Sequence, residues 1–216
     1  MVSKEILNAI QEGKNEIFFQ LFSSLNYSTN EVLKDFLFQM ACEYNNLEIA
    51  KFIYSQGINI NGIHNDSYRT SLSWALNKGH FTIVDWLLTL PLLNPNVHCD
   101  GDESSLTFCI RHNYPIEIIR RLIKLGAALD DSLSDWLPLG LACYVNNVEA
   151  VYELLLAGCD PYEEDNDEQN AIFYANENMK KLLESWNKDL YFTLYALKQN
   201  GFELNSDIIC SMVQFF

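Results

Sequence analysis

The chain has 216 residues, 49% of them hydrophobic, which suits one sizeable core or a short array of small units and excludes a disordered polypeptide. Its 14 Lys and Arg stand against 29 Asp and Glu, a formal net charge of -15. Such a charge repels phosphate backbones and anionic membrane surfaces and excludes nucleic acid as the main partner, while leaving a local basic patch or a cationic protein partner open.

The amino terminus, MVSKEILNAIQEGKNEIFF, lacks the uninterrupted apolar core of a signal peptide, and no later stretch is long and apolar enough to span a membrane. The expected location is the cytosol, or the host cytosol if the chain is an effector. A small residue followed by a polar turn, an amphipathic run and a Gly recurs along the chain. Its anchors are Ala9, Ala41, Ala75, Cys109, Ala142 and Ala175, at spacings of 32, 34, 34, 33 and 33 residues.

In chain order, KEILNAIQEGKNEIFFQLF over about 1-30 predicts an N-terminal cap with a charged outer side. Repeats follow over about 31-64, 65-98, 99-131, 132-164 and 165-186. The second of them, TSLSWALNKGHFTIVDWLL, sets Thr70, Leu72 and Ala75 on one helix, Gly79 and His80 at a turn, and Ile83, Val84, Leu87 and Leu88 on a second helix. In the third, Tyr114 and Pro115 lengthen the turn by one residue, and a protruding turn is expected. The fourth starts a helix at Pro138, where a missing N–H costs nothing, turns at Asn146-Asn147 and ends at Gly158. In the fifth, NAIFYANENMKKLLESW, only seven residues separate Ala175 from Leu182, so its first helix or turn is shortened.

This period, with Thr70, Leu72 and Ala75 at their places in a T-P-L-H-x-A opening, resembles the ankyrin repeat. Gly140 stands where the family has His. The resemblance implies an all-α fold, a solenoid of stacked helix-turn-helix units over 1-186 with β-hairpin-type loops and a helical C-terminal cap over 187-216. It further implies a non-catalytic module, a monomer, binding another protein on the concave face built from hairpin tips and first helices. Residues whose identity stacking leaves free there are Tyr44, Asp66, Arg69, Lys78, Glu103, Arg111, His112, Trp136, Tyr144 and Asp167, with Trp136, Tyr144 and Arg111 expected at the centre. A Trp136 folded over its own hairpin is the alternative. Trp74, Trp86 and Trp186 are expected in the core.

Cys42, Cys109, Cys143 and Cys159 occupy small-residue positions and read as buried packing. His98, Cys99, Cys109 and His112 are zinc-ligand types, but their spacing fits no common finger. The acidic run PYEEDNDEQN reads as a hairpin tip and lacks the Gly and closing Glu of a calcium loop. His80 is expected to be a structural hydrogen-bonding residue. No nucleophile elbow, phosphate loop or H-E-x-x-H is present, and neither enzyme activity, cofactor nor metal is expected.

Leu190, Leu194 and Leu197 predict a further helix, ended by Gly201. The stretch LNSDIICSMVQFF resembles the opening helix of F-box-like or PRANC-type segments, with Leu204, Asp207, Ile208, Ile209, Met212, Val213 and Phe215 matching in type and Asn205 in place of Pro. The alternative function it implies is a ubiquitin-ligase adaptor that recruits a ligase scaffold. A plain helical cap is the other reading of this stretch.

Overall fold

The computed structural model describes residues 3–24, 30–63, 69–99, 103–130 and 136–186, with residues 193, 196, 197 and 200–202. Helices come in pairs: α1 (Lys4–Gln11) with α2 (Asn15–Ser24), α3 (Glu31–Glu43) with α4 (Leu47–Ser55), and α5 (Ser71–Asn77) with α6 (Phe81–Leu87). After them come α7 (Ser105–Arg111) with α8 (Ile116–Lys124), α9 (Pro138–Tyr144) with α10 (Val148–Ala157), and α11 (Ala171–Tyr174) with α12 (Glu177–Ser185). Among the described residues there is no strand. Antiparallel bridges pair His98 with Ser104 and Glu164 with Asn170, where loops fold back as hairpins.

One turn closes the first five pairs. The backbone N–H of Lys14, Asn46, His80, Tyr114 and Asn147 donates to the carbonyl of Ala9, Ala41, Ala75, Cys109 and Ala142 respectively, at 2.8–2.9 Å. Immediately before each donor stands a residue with left-handed backbone: Gly13, Asn45, Gly79, Asn113 and Asn146, with φ between 52° and 68°. Only Gly, and at modest cost Asn, enters that region readily, which explains the restriction to these two residue types. The anchors are small because all five are buried in close-packed surroundings.

The paired asparagines in these turns divide the work. Asn146 supplies the left-handed residue, while the Asn147 side chain accepts from the N–H of Ala150 at 3.0 Å and caps α10, a contact worth about 1 kcal/mol. Its amide donates to the Asn113 side chain of the preceding turn at 3.3 Å. Asn46 likewise caps α4 through Ile49 and donates to Asn15 at 2.8 Å, and Asn176 caps α12 through Met179 and donates to Asn146 at 2.6 Å.

Contacts divide the chain into two compact units, Met1–Ser105 and Leu106–Phe216. In the first, α3 packs against α1, α4 and α5, and α2 against α4. Phe18, Phe19, Phe22 and Phe52 meet with ring centroids 4.9–6.2 Å apart, filling the space between α2 and α4. Buried Lys34 reaches from α3 to donate to the carbonyls of Gln56 and Gly57 at 2.8 and 2.9 Å, satisfying the open end of α4 with a positive charge. In the second unit, α10 packs on α8 and α9, and α11 on α9 and α12. There Arg120 on α8 holds the buried Glu153 of α10 through two contacts, at 2.9 and 3.0 Å.

Several expectations change in the structure. The extra residue in the third repeat is Pro115, which sits at the N-cap of α8, and Tyr114 keeps the turn hydrogen bond and is buried against Phe108 instead of protruding. The shortening expected in the fifth repeat affects helix and turn together: α11 has only 4 residues, and Ala175 is extended (φ -74°, ψ 141°), so no closing turn forms. Trp74, Trp86 and Trp186 are half-buried and not enclosed, the last of them in extended backbone just after α12. Cys159 is half-buried as well, being in the loop after α10, whereas Cys42, Cys109 and Cys143 are enclosed. The F-box-like stretch and Asp66 lie outside the described residues.

Leu92 is a local exception to good backbone geometry. It is 90% exposed and has φ 68°, held there by Asn61, which donates to the Leu92 carbonyl and accepts from the N–H of Asn94, both at 2.8 Å. A Leu in this region costs about 1 kcal/mol and recovers nothing by burial here. Leu92→Asn is therefore expected to raise the thermal midpoint by about 2–4 °C. An unchanged or lower midpoint in a calorimetric scan would show that this backbone is not under strain.

Candidate protein-binding surface

In the second unit, aromatic residues from consecutive repeats converge. Trp136, at the entrance to α9, has its ring centroid 4.9 Å from that of Tyr144, the last residue of α9, and 4.3 Å from that of Tyr174 on α11. Phe173 meets Tyr174 edge-on at 5.2 Å. Trp136 and Tyr174 are half-buried, while Tyr144 and Phe173 are 61% and 64% exposed. Gly140 eases the arrangement: a Cβ at that position would lie 3.3 Å from the Tyr174 ring, so a side chain there, such as the His of the family opening, would require the ring to give by a few tenths of an ångström. Thus Trp136 covers Tyr144 of its own repeat and Tyr174 of the next.

The acidic hairpin is fastened to this ring group. Tyr174 donates its hydroxyl to Asp165 at 2.7 Å, and Asp165 also accepts from the backbone N–H groups of Asp167 and Gln169 at 3.0 Å, which shapes the tip. Desolvation first, then the hydrogen bond and charge of Asp165, push the Tyr174 phenol up to about 12, so it remains a donor at neutral pH. Asp167 is exposed on this tip. Elsewhere in the unit, Arg111 lines an open groove with Asn113, Val145 and Glu149, and exposed His112 stacks on Phe108 at 4.3 Å.

The first unit presents a second, separate group. The Arg69 guanidinium lies 4.9 Å and the Lys78 ammonium 5.8 Å from the Trp74 ring centroid, both within cation–π range. The Gln39 amide donates to the Arg69 carbonyl. Burial raises the Glu43 carboxyl, opposed by the charges of Lys78, Arg69 and His80. The His80 ring donates to the Glu43 carbonyl at 2.8 Å, the structural hydrogen bond expected of it. Tyr44 is 40% exposed at the end of α3, and Glu103 is half-buried in the His98–Ser104 hairpin, its carbonyl accepting from the N–H of Cys99.

Sequence reasoning missed Phe173, Tyr174, Asp165 and the role of Trp74. A signal existed: Trp74, Phe108 and Tyr174 each stand one residue before an anchor, the same place in three repeats. The zinc-ligand types do not assemble; among the described residues no group of three or more His, Cys, Asp and Glu is placed to hold a metal ion. Burial raises the Cys42 thiol far above its ordinary value and pushes Cys143 and Cys159 up to about 12, leaving all three protonated and unsuited to nucleophilic attack.

A family model described as ankyrin repeats (3 copies) matches residues 6–100. Residues 6–100 are ankyrin repeats. The ankyrin turn at Ala9, Ala41 and Ala75 recurs with the same hydrogen bond at Cys109 and Ala142, beyond the matched range. Ankyrin repeats serve in general as protein–protein interaction modules. Among solved structures, the chain is similar to one in the structure of a predatory endopeptidase from Bdellovibrio bacteriovorus in complex with an immunity protein, with a TM-score of 0.65 and 17% identity over 84% of this chain and 95% of that one. At that identity the likeness concerns the fold. No curated protein matches the sequence. Among the described residues no helix is long and apolar enough to cross a membrane.

Two outcomes are expected. Gly140→Val should push Tyr174 off α9 and destabilise the protein by about 1–3 kcal/mol, read as a lower denaturant midpoint. A midpoint equal to the parent's would show that the ring shifts freely. Secondly, stability should fall as pH rises from 9 towards 12. The native Cys143 and Cys159 thiols hold their protons up to about 12, whereas unfolded thiols release theirs at about 9.0, so alkali favours the unfolded state. Denaturant titrations of the parent and Cys143→Ala across this window should show a shallower fall in the variant.

Proposed function

We propose that this chain is a non-catalytic protein-binding module whose partner docks on the surface formed by the ends of the first helices and the hairpins of the second unit. The observation that carries this reading is the contiguous ring group of Trp136, Tyr144, Tyr174 and Phe173, in which Tyr144 and Phe173 keep most of their surface in water. Packing alone gives no reason to leave two large rings of one group outside, whereas exposed aromatic anchors backed by half-buried ones are what an interface centre uses. The Arg111 groove and the Asp167 tip belong to the periphery of the same surface in this reading. Tyr44, Arg69 and Lys78 of the first unit are proposed as further contacts, as are Glu103 and His112.

The adaptor reading rests on the residues from Leu204 to Phe215 by type alone. It makes a distinct claim, that a ligase scaffold is captured through Ile208, Ile209 and Phe215.

Affinity capture with the intact chain and with Tyr144→Ala/Phe173→Ala tests the module. These side chains are exposed, so the variant should keep the parent's circular dichroism while losing its partner, with affinity at least about thirtyfold weaker if both are hot spots of about 1 kcal/mol or more. Retention of every partner by the folded variant would refute the proposed surface. Capture of a ligase scaffold by the parent, lost in Ile208→Ala/Phe215→Ala and kept in the ring variant, would favour the adaptor reading.

A further inference from the structure

We infer that the occupant of the ring surface is a basic protein segment, bearing Lys or Arg side chains that lie on Tyr144 and Phe173 while the acidic hairpin answers its charge. This inference rests on the proposed binding surface and adds the chemistry of the partner. Its first support is charge distribution. Between Lys124 and Lys180 the sequence holds no Lys, Arg or His and twelve Asp and Glu. Two of these are paired with cations that bound or precede the stretch, Glu153 with Arg120 and Glu177 with Lys180. The remaining carboxylates have no cation within this stretch, and six of them crowd the loop from Asp160 to Glu168.

The second support is the rings themselves. The face of an aromatic ring carries negative electrostatic potential, and a guanidinium or ammonium laid upon it gains about 0.5–2 kcal/mol according to how far it is desolvated. The first unit already displays that arrangement, with Arg69 and Lys78 of this chain beside Trp74. In the second unit Tyr144 lies against the Trp136 ring and Phe173 against the Tyr174 ring, and these two stay 61% and 64% exposed. The third support is their connection. The Tyr174–Asp165 hydrogen bond ties the hairpin to the ring group, so carboxylates and ring faces are presented as one surface. An acidic or purely apolar segment would meet the hairpin charges uncompensated, which disfavours both.

The test uses the full chain and fluorescently labelled octa-arginine, with octa-glutamate as the opposite-charge control, read by anisotropy at low and moderate salt. Octa-arginine should bind and octa-glutamate should not. Tyr144→Ala/Phe173→Ala, which leaves net charge unchanged, should weaken octa-arginine binding at least tenfold. Glu163→Gln/Asp167→Asn should weaken it more than Glu5→Gln/Glu16→Gln, which removes the same charge from the first unit. Equal weakening by the two charge pairs, or no effect of the ring substitutions, would show mere attraction to an acidic chain and overturn the inference. If octa-arginine fails to bind while a cellular partner is still captured through Tyr144 and Phe173, the basic-segment inference falls and the proposed module stands.

Discussion

A single backbone hydrogen bond, closed across five residues, underlies the repeating architecture. The carbonyl of each anchor from Ala9 to Ala142 receives it, and a Gly or Asn in the left-handed region makes it geometrically accessible. Because each turn takes the same form, each second helix begins at the same place relative to the first, and apolar positions such as Ile49, Ile83 and Ala150 fall on corresponding faces. The exception obeys the same constraint. In the third repeat the turn bond survives unchanged, and the additional residue is absorbed afterwards as Pro115, where a fixed φ and an absent N–H do no harm.

The side-chain amides of the turns add a layer that backbone geometry alone does not require. Asn147 and Asn46 each satisfy an open helix N–H with one end of the amide and reach the previous turn with the other. Such bonds are individually modest, but they remove the alternative of leaving buried or half-buried donors unpaired, which is the costlier state. Register between neighbouring turns is thereby specified by directional contacts as well as by apolar burial.

Where the repeat is broken, the distinctive surface appears. With no closing turn after α11, Ala175 is extended and Tyr174 turns its ring onto α9, a position open because residue 140 is Gly. Trp136 then has two rings to cover instead of one. The hairpin that precedes α11 is drawn into the same group through Asp165. A defect in periodicity thus produces a local cluster of aromatic and acidic chemistry, and the intact repeats supply its rigid support.

The sequence by itself determined the helix pairs, the positions of the turns, the small buried anchors and the structural role of His80, because these follow from short-range constraints: left-handed backbone, helix periodicity and the size of a buried residue. It also pointed to Trp136 and Tyr144 as members of one surface. Tertiary structure alone decided that Tyr174 and Phe173 complete that surface, that Gly140 makes room for it, and that Trp74 lies beside Arg69 and Lys78 at a half-buried rim. The first two outcomes depend on side chains that meet across more than 30 positions in the chain, as for Trp136 with Tyr174 and Gly140 with Tyr174, whereas Arg69 and Lys78 are five and four positions from Trp74. Sequence periodicity assigns a residue to a helix face, but the orientation of its ring is settled by the neighbours that occupy the adjoining space.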